Sequence, residues 1–290
     1  MEAFAASLLG IAFHGVAYGM ILYAISVGLS VTMGLMGFIN LAHGVFAMAG
    51  GYLMVTAMAK FGLPWLPALA LASAAVGLGS MVLERTLYAR LYRAGELEQV
   101  LFTIGLIFIA VAVARLAYGP LPQAAPLPEY MKGHLEAGGR VFPVYRAVVI
   151  GSSAVLIAVL WLGLERTRWG AMVRAAVDNG PMAESVGIDT GRLFTLTFAL
   201  GSALAAFGGA LGADLIAITP TYPFEQLVYF LIVVSIGGLG TLRGPFLGAL
   251  LIGIGDTACK YWVPQFGSFF IYAATMALLL WRPRGLLGRA

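Results

Sequence analysis

No charged residue occurs between Glu2 and Lys60. A run that apolar needs a solvent in which it can rest. A membrane-spanning helix takes about 20 apolar residues. Residues 10–60 therefore hold either two full spans with the N-terminus outside, or one span plus a broken or re-entrant helix with the N-terminus inside. The rest of the chain agrees: of 290 residues, 61% are hydrophobic and 10% are charged, whereas soluble domains carry about 25% charge. The mean hydropathy is +0.93. No soluble fold hides so much apolar surface. The chain reads as all-α, a polytopic transmembrane helical bundle of about eight to nine membrane segments, broken or re-entrant helices among them. It forms one domain over 1–290. The alternating strands of an outer-membrane barrel are absent. Thirty-eight glycines suit close helix packing.

Charge sets the orientation. Eleven of the seventeen basic residues fall at 84–98, at 165–192, at Arg243 or in the tail 282–290. Among them are Arg85, Arg90, Arg93, Arg166, Arg168, Arg192, Arg282, Arg284 and Arg289. Positive residues favour the cytoplasmic side, so these segments and the C-terminus are expected inside. The basic pI then reports topology, and nucleic acid is not a partner. Spans are expected near 64–83, 99–118, 144–164, 193–217, 225–240, 245–261 and 266–281. The loop 119–143 holds Pro120, Pro122, Pro126, Pro128 and Pro143 and reads as an irregular external cap.

Within the first apolar stretch, residues 37–44 read Gly37-Phe38-Ile39-Asn40-Leu41-Ala42-His43-Gly44. An amide and an imidazole in a bilayer are costly, and mark either a pathway or a packing hydrogen bond. Glycines on both sides let a helix break or a neighbouring backbone come close. Broken helices with polar groups at mid-membrane are a transporter device. Asn40, His43, Gly37 and Gly44 are therefore the candidate substrate pathway. The competing reading is interhelical glue, worth roughly 0.6 kcal/mol per bond. A spacing of three places Asn40 and His43 on one helical face. His14 reads as packing. Asp256 and Lys260, spaced i,i+4, read as an ion pair. A fainter pattern links His43-Gly44-Val45-Phe46 to Arg243-Gly244-Pro245-Phe246, each after a glycine-rich run.

Segment 165–192 is too polar to cross and too patterned for a slack linker. Met172, Ala175, Ala176 and Asn179 fall at helical spacing. Pro181 suits a first helical turn, and Gly187 suits a helix end. The expectation is two short helices forming a cytoplasmic knob.

Three stretches share a likeness. The run from Gly34 through Ile39-Asn40-Leu41-Ala42-His43-Gly44, the run Gly237-Gly238-Leu239-Gly240-Thr241-Leu242-Arg243-Gly244-Pro245, and the ending Trp281-Arg282-Pro283-Arg284-Gly285-Leu286-Leu287-Gly288-Arg289 together resemble the membrane permease subunit of branched-chain amino acid ABC importers. The shorter of the two permease types is the better match. The resemblance implies a bacterial inner-membrane protein forming half a pathway. It implies a second, longer permease, two ATPase subunits inside and a periplasmic binding protein outside. ATP is then used by the partners, and this chain binds no cofactor and no metal. The resemblance also implies that the knob couples to the ATPases, through Arg174, Ala176, Asp178, Ala183, Glu184, Gly187 and Asp189. The importers' Glu-Ala-Ala signature with its following glycine is not matched literally; Ala183-Glu184-Ser185 with Gly187 is a loose relative. Relatives handle branched-chain amino acids, amides, urea and aromatic acids. Few charges and many glycines, alanines and methionines suit a small, largely apolar amino acid.

No Gly-x-x-x-x-Gly-Lys-[Ser/Thr] loop is present, so ATP has no phosphate cradle here. No catalytic set stands out, and the chain is not expected to be an enzyme. A single cysteine, Cys259, excludes an internal disulfide. The rival function is a secondary transporter or channel for a small solute such as urea or an amide. That reading would need intramembrane ionisable groups for coupling and leaves the patterned knob without a purpose.

Overall fold

The computed structural model describes residues 2–92, 94–137, 140–238, 241–283 and 285–287. Arg93, Leu239, Gly240, Arg284, Gly288 and Arg289, named above, lie outside the described residues.

Among the described residues there are eleven α-helices. The first four are α1 (Glu2–Met36), α2 (His43–Phe61), α3 (Trp65–Thr86) and α4 (Glu96–Tyr118). A short ribbon follows, β1 (His134–Ala137) paired with β2 (Arg140–Pro143). Then come α5 (Val144–Arg166), α6 (Arg168–Asp178), α7 (Gly180–Ser185) and α8 (Thr190–Leu211). The chain closes with α9 (Tyr222–Gly237), α10 (Arg243–Trp262) and α11 (Gly267–Trp281).

Among the described residues, six helical stretches are long and apolar enough to cross a membrane: 7–34 and 43–61, then 65–86, 96–118, 144–166 and 190–211. That is fewer than the sequence reading expects. α9 and α11 are apolar but short, and α10 carries Arg243, Asp256 and Lys260. The expected span 193–217 also ends early, at Leu211. Beyond it Ile218 exchanges two backbone hydrogen bonds of 2.8 Å with Gln123. A backbone paired to a distant loop cannot also continue a helix.

α1 is the axis of the bundle. From Ala17 to Thr32 its side chains are nearly all buried, and it packs on α8 and α10. The approach is backbone to backbone. A Cβ on Gly15 would sit 2.6 Å from the Ile254 Cα, and one on Gly28 would sit 2.3 Å from the Gly201 carbonyl oxygen. Dispersion and Cα–H contacts, rather than a hydrophobic drive, hold helices together in lipid. Glycine at these crossings is what admits them.

The bundle has two distinct ends. The hairpin end carries β1 and β2, with Leu135 opposite Phe142. A cap without regular structure is expected there; the ribbon departs from that. Its signal is Gly138-Gly139, a dipeptide suited to two-residue hairpins, though both glycines lie outside the described residues. The knob end carries α6 and α7. Phe13 of α1 meets Phe142 at 4.8 Å between ring centroids, while Ser30 donates to the Thr241 carbonyl at 3.1 Å. α1 thus starts at the hairpin end and finishes at the knob end. Of the two readings of residues 10–60, this geometry matches two helices, α1 and α2, with the N-terminus on the hairpin side.

Candidate functional site

The helix breaks where the polar pair predicts it. α1 stops at Met36, and Gly37 takes a left-handed turn at φ 59°, its N–H donating to the Met33 carbonyl at 3.0 Å. The chain then turns back along α1. The His43 Nε2 meets the Ile25 carbonyl at 3.0 Å. Ile25 precedes Met36 by eleven residues, so α2 opens about 16 Å inside the end of α1, at 1.5 Å per residue. The expected shared helical face does not exist. Asn40 lies in the connection and His43 is the first residue of α2, so the two have no common helix.

Both side chains are enclosed: Asn40 is 2% and His43 1% exposed. The Tyr88 hydroxyl donates to the Asn40 Oδ1 at 3.3 Å. Because a carbonyl can only accept, the proton on His43 sits on Nε2. The Asn40 Nδ2 and the His43 Nδ1 have no hydrogen-bond partner among the described residues. Gly44 lets Pro223 approach, since a Cβ there would stand 3.1 Å from the Pro223 Cα. The starts of α2 and α9 therefore meet inside the bundle. His43-Gly44 and Arg243-Gly244 occupy the same place in their helices: each pair opens one, α2 and α10.

The knob is as the sequence predicts, two short helices with a kink. Thr167 caps α6 by accepting from the Gly170 N–H at 3.2 Å. Asn179 caps α7 by accepting from Met182 at 3.0 Å, and Pro181 sits in its first turn. Gly187 then turns left-handed at φ 90°. Val173, Ala176, Ala183 and Leu193 form a separate small core, with Trp169 and Ile188 packed on it. Glu184 accepts from the Thr190 hydroxyl, and Arg174 donates to the Leu164 carbonyl. Asp189 caps α8 through Arg192, N–H to Oδ1 at 2.9 Å. Asp178 lies exposed at the end of α6. Most of the predicted coupling residues thus build the knob. What it shows outward are Met182 and Val186, 61% and 69% exposed and four apart, neither of them among the coupling residues expected from the sequence.

Residues 11–279 match the family described as branched-chain amino acid transport system, permease component. This chain belongs to that family. The permease is 27% identical to the high-affinity branched-chain amino acid transport system permease protein BraD of Pseudomonas aeruginosa, over 95% of this chain and 94% of BraD. It is 27% identical to LivH of Escherichia coli K12, covering 96% of this chain and 94% of LivH. Against LivM of Salmonella typhimurium the identity is 26%, and only 68% of LivM is covered. The permease is therefore of the shorter, LivH-like type. Its family is a transport family, and its place in it is that of a membrane component rather than an enzyme.

Other polar groups of the permease emerge only in three dimensions. Glu84 is buried at the knob end, accepting from Tyr92 at 2.5 Å and from Thr195 at 2.7 Å. It joins α3 to α8 and to the turn after α3. Gln99 at the start of α4 accepts from the Ile39 N–H at 3.1 Å and so holds the α1–α2 connection. Glu84 lies near the end of α3 and Gln99 near the start of α4, on either side of a segment whose arginines carry the topology signal. At the hairpin end Lys260 pairs with Asp256 at 2.7 Å, as their spacing predicts. His14 stacks edge-on to Phe13 at 5.5 Å. Asp214, just past α8, is partly desolvated; this pushes its carboxyl up from the ordinary range, and Arg146 opposes the shift.

Proposed function

We propose that this chain is one half of the membrane pathway of an ABC importer for branched-chain or related small amino acids. The family match over residues 11–279 carries the reading. A longer permease of the LivM kind completes the pathway, two ATPase subunits drive it from the cytoplasm, and a periplasmic binding protein delivers the solute. α9, α10 and α11 complete the membrane domain beside the six long helices. The knob end faces the cytoplasm of a bacterial inner membrane, as does the C-terminus. The clustering of basic residues at the knob end supports this.

In this reading α6 and α7 dock on an ATPase, with Met182 and Val186 as the apolar contacts and Arg174, Asp178 and Asp189 around them. Gly187 and the small core of Ala176 and Ala183 keep the knob rigid enough to transmit a push. Glu184 fixes it to α8. The α1–α2 break, with Gly37, Asn40, His43 and Gly44, lines the route when the pathway opens. Two unpartnered nitrogens inside the bundle are groups that a passing solute can satisfy.

The test is reconstitution. The chain is co-expressed with its longer permease and ATPases, placed in proteoliposomes, and supplied with its binding protein and ATP. Labelled leucine, isoleucine or valine should accumulate, and only with ATP and binding protein present. Uptake of urea or an amide without ATP, and none of amino acid, would overturn the proposal.

A further inference from the structure

At the hairpin end, a cavity of about 410 Å³ opens between α1, α5, α9, α10 and the 212–221 connection. This is the size of a small-molecule site, roughly 300–1,000 Å³. Its polar lining is built of both signs. Arg146 and Lys260 supply cations, Asp256 supplies an anion, and Gln226 an amide. Leu215 and Ile216 supply an apolar wall.

The hydrogen-bond inventory is unbalanced. Asp256 is 2% exposed, and only its Oδ2 is engaged, by Lys260 at 2.7 Å. Its Oδ1 is buried with no partner among the described residues, and so is the Gln226 Oε1. A buried acceptor left unpaired is costly. Two such acceptors bordering one cavity call for a ligand with several donors on one atom. An ammonium group has three. Lys260 is meanwhile half-exposed and keeps N–H donors beyond its bond to Asp256, and Arg146, whose charge also acts on Asp214, lines the same cavity; an anion entering it meets both. A carboxylate is one anion whose two oxygens match the fork of a planar guanidinium.

We propose that this cavity is a solute subsite for the zwitterionic backbone of an α-amino acid. The ammonium faces Asp256 and Gln226, the carboxylate faces Lys260 and Arg146, and the side chain lies on Leu215 and Ile216. The inference rests on the proposed amino acid import and deepens it. The cavity is at the end opposite the knob, where a solute delivered from outside arrives. The site is a waystation ahead of the α1–α2 break, and no covalent step is involved.

The experiment is a thermal-shift titration of the assembled transporter in detergent, without binding protein. The probes are leucine, 4-methylpentanoate, which lacks the ammonium, and 3-methylbutylamine, which lacks the carboxylate. Leucine, titrated to its solubility limit, should raise the melting temperature saturably, and neither analogue should. Each variant is compared with its own unliganded state. Asp256→Asn should abolish the leucine response. Gln226→Leu, which leaves the ion pair alone, should raise the half-maximal concentration roughly tenfold, the effect of one lost charge-assisted hydrogen bond. The proposal is overturned by no response in the wild type, by equal responses to the three probes, or by variants that titrate like the wild type. Leucine uptake by the same wild-type preparation separates the two readings. Normal uptake without a thermal response removes the subsite alone. A thermal response without uptake removes the import reading and keeps the subsite.

Discussion

At the scale of single residues, Asn40 and His43 set the sharpest question. Each is held by one hydrogen bond and each keeps one buried nitrogen unmatched. If solute passes them, Asn40→Leu and His43→Leu should each slow uptake about tenfold, the effect of ~1.4 kcal/mol on a barrier. Complex yield and melting temperature should stay near wild type. Should uptake hold steady while the melting temperature or assembly falls, both residues are glue between helices. Their polarity in an apolar stretch is legible from the sequence, and so is the break beside them. Their partners are not. Tyr88 lies 48 positions from Asn40, and the Ile25 carbonyl 18 from His43, and nothing local ties a tyrosine or a helix carbonyl to a polar side chain so far along the chain. The same limit hides the pairing of Glu84 with Thr195, 111 positions apart. What puts Asn40 and His43 on different elements is equally non-local: α2 starts where the Ile25 carbonyl meets the imidazole.

At the scale of elements, the knob is the most legible part of the chain, because its signals are local. Thr167, Asn179 and Asp189 are caps whose partners lie three residues on, and Gly187 marks its own turn. Gly187→Val places a β-branched residue at φ 90°, a conformation that costs of order 1–3 kcal/mol. Substrate-stimulated ATP hydrolysis should fall several-fold while membrane insertion persists. Met182→Asp leaves the fold of the knob alone and removes its apolar contact. It should weaken ATPase co-purification. Full ATPase coupling and co-purification in both variants would reduce α6 and α7 to a linker. The early end of α8 is less legible, since the chain just beyond it is held by Ile218 pairing with Gln123, 95 positions away.

At the scale of the whole molecule, the charge pattern gives an orientation that cysteine labelling can read directly. In a Cys259→Ser background, Arg90→Cys and Glu184→Cys should resist an impermeant thiol reagent in intact cells, and Lys132→Cys should react. Labelling at 184 from outside would invert the bundle. Helical class and membrane character are legible in composition and hydropathy, and the charge pattern adds an expected side for each loop that the labelling tests. The packing order is not legible, for apolar helices resemble one another in sequence and differ only in where glycine lets a neighbour in. That order has a consequence for biogenesis. α1 leaves the ribosome first, yet the surfaces it fits arrive late: Gly15 meets Gly253 and Gly28 meets Gly201. At about 5–20 residues per second, the grooves of α1 stand open to lipid for roughly ten to fifty seconds before α10 is made. A nascent permease is thus a loosely gathered set of helices whose central member is seated only when the chain is nearly finished.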